Sequence, residues 1–154
     1  MMEATPIRLA LAQPADHSAV VACVTAAYSR YLARMDVQPA PMLADYGGLI
    51  ERGVVHVATI DGDVVGLLVM WAEPDHFYLD NIAVDPTRRG TGVGSFLLDQ
   101  VEVAARAAGR HEIRLYTHEK MTENLDYYPR RGYVKTHRAV GDGRSRVYFS
   151  KLLS

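Results

Sequence analysis

One stretch limits the folds open to this chain more than any other. "FYLDNIAV" (Phe77 to Val84) reads as a strand and stops at Asp85-Pro86. Proline donates no hydrogen bond and pushes the residue before it into extended backbone. A basic pair, Arg88-Arg89, and three glycines, Gly90, Gly92 and Gly94, come next. Behind them Phe96, Leu97, Leu98, Val101, Val103 and Ala104 form the apolar face of a helix that runs to about Ala108, where Gly109 closes it. "EIRLYT" then reads as a further strand. A strand, a crossover helix and a second strand put the two strands side by side and parallel. Each glycine costs about 0.5–1 kcal/mol in a helical stretch. Three of them at a helix mouth fit a backbone that another molecule must approach closely.

The remaining segments fill in the sheet. "IRLALA" (Ile7 to Ala12) predicts a first strand. Asp16 is placed to cap a helix from His17 to about Met35, with Val20, Val21, Val24, Tyr28 and Tyr31 on its apolar side. Met42 to Glu51 predicts a shorter helix. "VVHVATI" and "VVGLLVMWAE" flank Asp61-Gly62-Asp63 as a hairpin. "TENLDYYPRR" predicts a short helix ending near Gly132, and "YVKTHRAV" pairs with "RVYFSKLL" across Gly141-Asp142-Gly143. The order β-α-α-β-β-β-α-β-α-β-β gives a mixed α/β (α+β) fold. Its sheet is mostly antiparallel, with one central parallel strand pair flanked by helices. The length of 154 residues suits a single domain over 1–154.

Composition excludes several functions. A net charge of −1 gives no electrostatic case for nucleic acid or an anionic membrane surface. The local pairs Arg88-Arg89 and Arg130-Arg131 suit a small anionic ligand. One cysteine, Cys23, permits no intramolecular disulfide and no cysteine-rich metal site, and its apolar surroundings predict a buried thiol. No apolar run approaches the ~18 residues that span a bilayer, and the N-terminus lacks a secretory pattern. A cytoplasmic protein is expected.

The glycine loop has few identities open to it. A Walker loop requires Gly-Lys-Ser/Thr, and no lysine is present. A dinucleotide fingerprint requires Gly-x-Gly-x-x-Gly, but the third position falls on Ser95 or Leu97. What remains is a basic residue ahead of spaced glycines, Arg89-Gly90-Thr91-Gly92-Val93-Gly94, at a helix N-terminus. Unpaired N–H groups and the helix dipole favour a phosphate there.

"RGTGVG" resembles the pyrophosphate loop of the GNAT family of acyl-CoA-dependent N-acyltransferases, Arg/Gln-x-x-Gly-x-Gly/Ala. "YLDNIAVDP" is similar to that family's fourth strand, "MTENLDYYPRRGYV" to its later helix with Tyr-x-x-x-Gly-aromatic, and "RVYFSKLL" to its closing strand. The resemblance covers about the last two-thirds of the chain. It implies transfer of an acetyl group from acetyl-CoA to an amine. The diphosphate would rest on Gly90 to Gly94, and the pantetheine arm would lie along the fourth strand. It implies cofactor contacts from Ile82, Ala83, Val84, Arg88, Arg89, Gly90, Thr91, Gly92, Val93, Gly94, Ser95, Asn124 and Tyr128. Asn124 also has a competing reading as a helix cap. A non-catalytic acyl-CoA-binding or regulatory module is the alternative function.

An alkylamine with pKa near ~10.4 is neutral about once in 2,500 molecules at pH 7, a penalty of about 4.6 kcal/mol, so a base or desolvation must assist. Tyr128, four residues before Gly132, stands where the family places the tyrosine that stabilises the departing thiolate. Its neighbour Tyr127 is expected to be a packing residue. Asp80, the only carboxylate within the fourth strand, is the leading base or water-holder, with Tyr78 on the same face. His118 is the reserve base, although a solvated loop is its plainer reading, and His111 and His137 carry no ligand spacing. Backbone N–H near Ile82 is expected to stabilise the developing oxyanion. Tyr28, Tyr31, Met35 and Tyr46 are candidates to line the acceptor site with Tyr78 and Asp80, and Asp36 or Asp45 to attract a cation. The expected acceptor is an amine-bearing small molecule or peptide. Homodimers are common in the family, but no residue pattern here specifies one.

Overall fold

The computed structural model describes residues 6–154. Its centre is a seven-stranded sheet built from β1 (Arg8–Leu11), β2 (Val55–Ile60), β3 (Asp63–Ala72), β4 (Phe77–Val84), β5 (Glu112–His118), β6 (Val134–Gly141) and β7 (Arg144–Leu152). The strands lie in the order β1-β2-β3-β4-β5-β7-β6. Every neighbouring pair is antiparallel except β4 and β5. The helices are α1 (His17–Tyr28), α2 (Tyr46–Glu51), α3 (Val93–Ala107) and α4 (Thr122–Arg130). Side chains of α3 and α4, among them Leu97, Leu98, Val101 and Tyr128, share one apolar cluster with Phe77, Leu79 and Phe149. Those of α1 and α2, among them Val20, Val24 and Ile50, share a second with Val57, Leu67 and Val69. The crossover helix α3 makes the parallel pair, as the strand–helix–strand reading requires.

Two irregularities at the centre shape the site. First, β4 carries a bulge: Val69 pairs with Asn81 and Met70 with Leu79, so Asp80 between them has no partner on β3. The alternation slips there by one residue. Phe77 and Leu79 face the α3 side, and so do Ile82 and Val84, while Ala83 faces α1. Second, β4 and β5 pair only at Phe77–Ile113 and Tyr78–Arg114 and then part. From Leu79 onward the β4 edge toward β5 is left open.

Several local expectations are corrected. The helix from His17 stops at Tyr28 and tightens into a 3-10 turn over Ser29–Arg34. Apolar spacing of three and four residues serves both helix types, so the pattern alone cannot separate them. Asp16 does not cap α1; its carboxylate accepts the Gln13 amide at 2.7 Å. Val21 and Val103 lie on solvent faces, 38% and 58% exposed. The segment from Met42 divides into a 3-10 turn at Ala40–Leu43 and α2. Asp45 caps α2 by accepting the Gly48 amide at 3.1 Å, so its carboxylate serves the helix and not a substrate cation. Asp36 is exposed and lines neither pocket. Cys23 is buried, and burial pushes its thiol up to about 12.

Candidate active site

The glycine loop forms a cradle because its backbone turns where side chains cannot follow. Gly90 and Gly92 take φ of 78° and 90°, the left-handed region. A Cβ at either would meet no protein atom within 4 Å, so the space in front of them belongs to the cleft. Gly92 is the cap of α3 and offers no side-chain acceptor; the first helical bond runs from the Phe96 amide to Gly92 O at 3.0 Å. The preceding amides of the first turn therefore lack intrahelical acceptors. A cleft of about 430 Å³ opens onto them, rimmed by Arg30, Arg88, Arg89 and Arg130 and floored by Ile82, Ala83 and Val84 on the open β4 edge. The donor set and the cradle fit a diphosphate.

A second, smaller pocket of about 50 Å³ lies beyond the bulge. Asp80 and Asn81 of β4 line it, together with Tyr116 and His118 of β5 and Arg144 and Arg146 of β7; Met35 and Pro41 cover it. The covering segment is tied down at both ends. Arg34 grips the Glu123 carboxylate at 2.6 and 3.0 Å, and Arg144 Nη2 donates to Gln38 O at 2.8 Å. The cleft and the cavity share four wall residues: Tyr28, Ile82, Asn124 and Tyr128.

Those shared residues are held rigidly. The Tyr28 hydroxyl donates to Asn81 Oδ1 at 2.5 Å with Ile82 O at 3.1 Å. Asn81 Nδ2 donates to Tyr46 Oη at 3.0 Å, and the Tyr46 hydroxyl donates to Pro41 O. This buried chain joins α1, α2 and β4 through a residue, Asn81, that sequence reasoning missed. The polar residue at an inward position is the only signal it leaves. Asn124 is not the α4 cap; it sits inside the helix, and its Nδ2 donates to the buried Thr117 Oγ1 at 3.0 Å. Tyr128 is 5% exposed and packs edge-on to Tyr133, with Phe149 also against its ring. Pro129 and Gly132, which has φ of 92°, stop α4 just beyond it.

Burial pushes the Tyr128 phenol well above its ordinary value, with Tyr133 and Tyr127 adding to the effect, so it stays a proton donor at neutral pH. Burial also raises the Asp80 carboxyl, and Arg52 only partly offsets this. His118 is half-buried and not in a solvated loop; burial lowers its pKa. The Lys120 amide donates to its Nδ1 at 3.0 Å, so the neutral ring carries its proton on Nε2.

The other expected site residues divide. Tyr31 lines the cleft and not the cavity, and Tyr46 is buried behind the wall. Tyr78 lines neither; its ring packs 5.2 Å from Trp71. Gly94 and Ser95 line the cleft, whereas Val93 is buried in the core and the exposed Thr91 donates its hydroxyl to Arg88 O. Tyr127, expected only to pack, also lines the cleft, with its hydroxyl 3.4 Å from where a Gly94 Cβ would lie. Among the described residues no helix is long and apolar enough to cross a membrane, and no cluster of three or more side chains could hold a metal.

The same architecture occurs in solved structures. The PaiA N-acetyltransferase of Thermoplasma acidophilum, solved in complex with coenzyme A, superposes with a TM-score of 0.79 at 15% identity, over 96% of this chain and 99% of that one. A GCN5-related N-acetyltransferase from Rhodopseudomonas palustris gives 0.77 at 23% identity, over 99% and 98%. Ard1 from Thermoplasma volcanium gives 0.72 at 19% identity, over 96% and 98%. No curated protein is similar enough in sequence to match. The acetyltransferase (GNAT) family model matches residues 22–133, most of the chain, and the protein belongs to that family.

Proposed function

We propose that this protein transfers the acetyl group of acetyl-CoA to a primary amine held in the smaller cavity. The observation that carries the reading is the shared wall. Tyr28, Ile82, Asn124 and Tyr128 border both the cleft and the cavity, so a thioester in one meets an amine in the other. Bound acetyl-CoA supplies the activated acetyl group and a thiol that leaves. The α3 amides and the arginine rim hold its diphosphate, and the open β4 edge from Leu79 to Val84 bonds the amides of its arm.

Asp80 holds the amine and draws off its proton, directly or through a water. Burial that raises its pKa makes it a better match for that task than an ordinary carboxylate. Backbone N–H near Ile82 faces the negative charge that develops on the carbonyl oxygen. Tyr128 hydrogen-bonds the departing sulfur and protonates it late. The N–C bond forms, the C–S bond breaks, one proton leaves the amine and one reaches the thiolate.

Thiol release from acetyl-CoA in the presence of amines tests the assignment. Tyr128→Phe lowers kcat by about 100-fold, the usual scale for a lost general acid, and leaves coenzyme A affinity within about 3-fold. Equal loss of turnover and affinity would contradict the acid role.

A further inference from the structure

Resting on that reading, we infer that the acceptor is a small amine that carries a carboxylate, an amino acid in the simplest case. The cavity has two chemically distinct ends. Asp80 stands at the β4 bulge, suited to an ammonium. Arg144 and Arg146, two apart on β7 and so on one face of the sheet, supply the other end. Neither arginine lines the coenzyme cleft, so the diphosphate does not account for them.

Nor do protein carboxylates account for them. Among the described residues neither forms an ion pair, whereas Arg34, Arg114, Arg131 and Arg138 each do. The buried Nε atoms of both Arg144 and Arg146 lack any hydrogen-bond partner. Arg144 reaches only neutral carbonyls, Gln38 O at 2.8 Å and Asp142 O at 3.4 Å. The Arg146 guanidinium lies over the Tyr116 ring, 5.0 Å from its centroid. Both guanidinium charges are thus left without a protein counter-ion, and an anionic ligand group in the cavity they line supplies one.

His118 adds to the same end, because the bond from Lys120 leaves its Nε2–H as a donor. One carboxylate against two guanidinium groups leaves the cavity with an excess of positive charge. A purely cationic amine meets repulsion there, whereas a zwitterion satisfies both ends. The volume of about 50 Å³ favours a compact molecule.

The test compares leucine, leucinamide and isoamylamine, and the same three forms of alanine and phenylalanine, as acceptors in thiol release. Binding of each is also followed by thermal shift in the presence of coenzyme A. The carboxylate form is expected to exceed its amide and its decarboxylated amine by about 30-fold or more in kcat/KM. Arg146→Gln is expected to raise KM for the acid about 30-fold, with kcat and the KM for acetyl-CoA little changed, and Arg146→Lys to restore part of the loss. Amides or plain amines used as well as the acids would overturn the inference and leave acetyl transfer standing. Absence of turnover, with acid binding that Arg146→Gln removes, would overturn acetyl transfer and leave the anion site standing. Absence of both turnover and binding by any acid would overturn the two together.

Discussion

Asp80 and Asn81 are adjacent in sequence and do opposite things, because the bulge turns both toward the α1 side of the sheet. Asp80 is a carboxylate kept partly from water, with its pKa raised chiefly by burial. In the window between its unfolded and folded values the native state binds more protons, so stability falls as pH rises through that window. At neutral pH the ionised group is a cost. Asp80→Asn is therefore expected to raise Tm at pH 7, with the gain vanishing as pH drops below the ordinary carboxylate range. It should also lower kcat by about 100-fold and remove the acid limb of the pH–rate profile. A Tm gain that persists unchanged at acid pH would show that desolvated charge is not its cause. Asn81, 5% exposed, instead satisfies the Tyr28 and Tyr46 hydroxyls. Asn81→Ala strips both of a partner and is expected to cost about 1–3 kcal/mol, read from denaturant midpoints at constant m. A change under about 0.5 kcal/mol would mean that the chain of hydroxyls does not hold the wall.

The elements differ in how openly the sequence declared them. The strand β4 and helix α3 were legible because a short apolar run, an Asp-Pro stop and an apolar helical face follow one another in the chain. The 3-10 turn after Tyr28 was not, since the same spacing serves either helix and the Arg34–Glu123 contact holding it spans distant segments. The bulge left no mark in the alternation, because Asp80 and Asn81 are both polar and either could have been the outward residue. The glycine cradle was legible from its spacing, and as the proposed diphosphate site it is the element most open to a selective lesion. Gly92→Val forces a β-branched residue into φ of 90° and places its side chain in the open cleft. Coenzyme A binding should weaken by about 100-fold or more, while Tm falls by only a few degrees. Binding that survives this substitution would separate the loop from the diphosphate.

At the scale of the whole molecule, the proposed coenzyme half of the site is local and the proposed acceptor half is not. Gly90 to Ser95 follow β4 in the chain, so one motif announces the cleft. The cavity gathers Met35, Asp80, His118, Arg144 and Arg146 from four distant segments, and each reads locally as ordinary strand or loop. Arg144 and Arg146 resemble any solvent-facing alternation until the sheet order sets β7 beside β5 and the segment over Met35 closes above them. The central claim, that cleft and cavity meet at one reaction point, is tested most directly by following both products in one vessel. Protein, acetyl-CoA and the acid, amide and amine panel are incubated together, with free thiol read by colour and the amines by mass. Thiol should appear in equal amount with an amine heavier by one acetyl group, and both should fall together in Tyr128→Phe. Coenzyme A that binds by calorimetry while neither product forms with any amine would contradict the account.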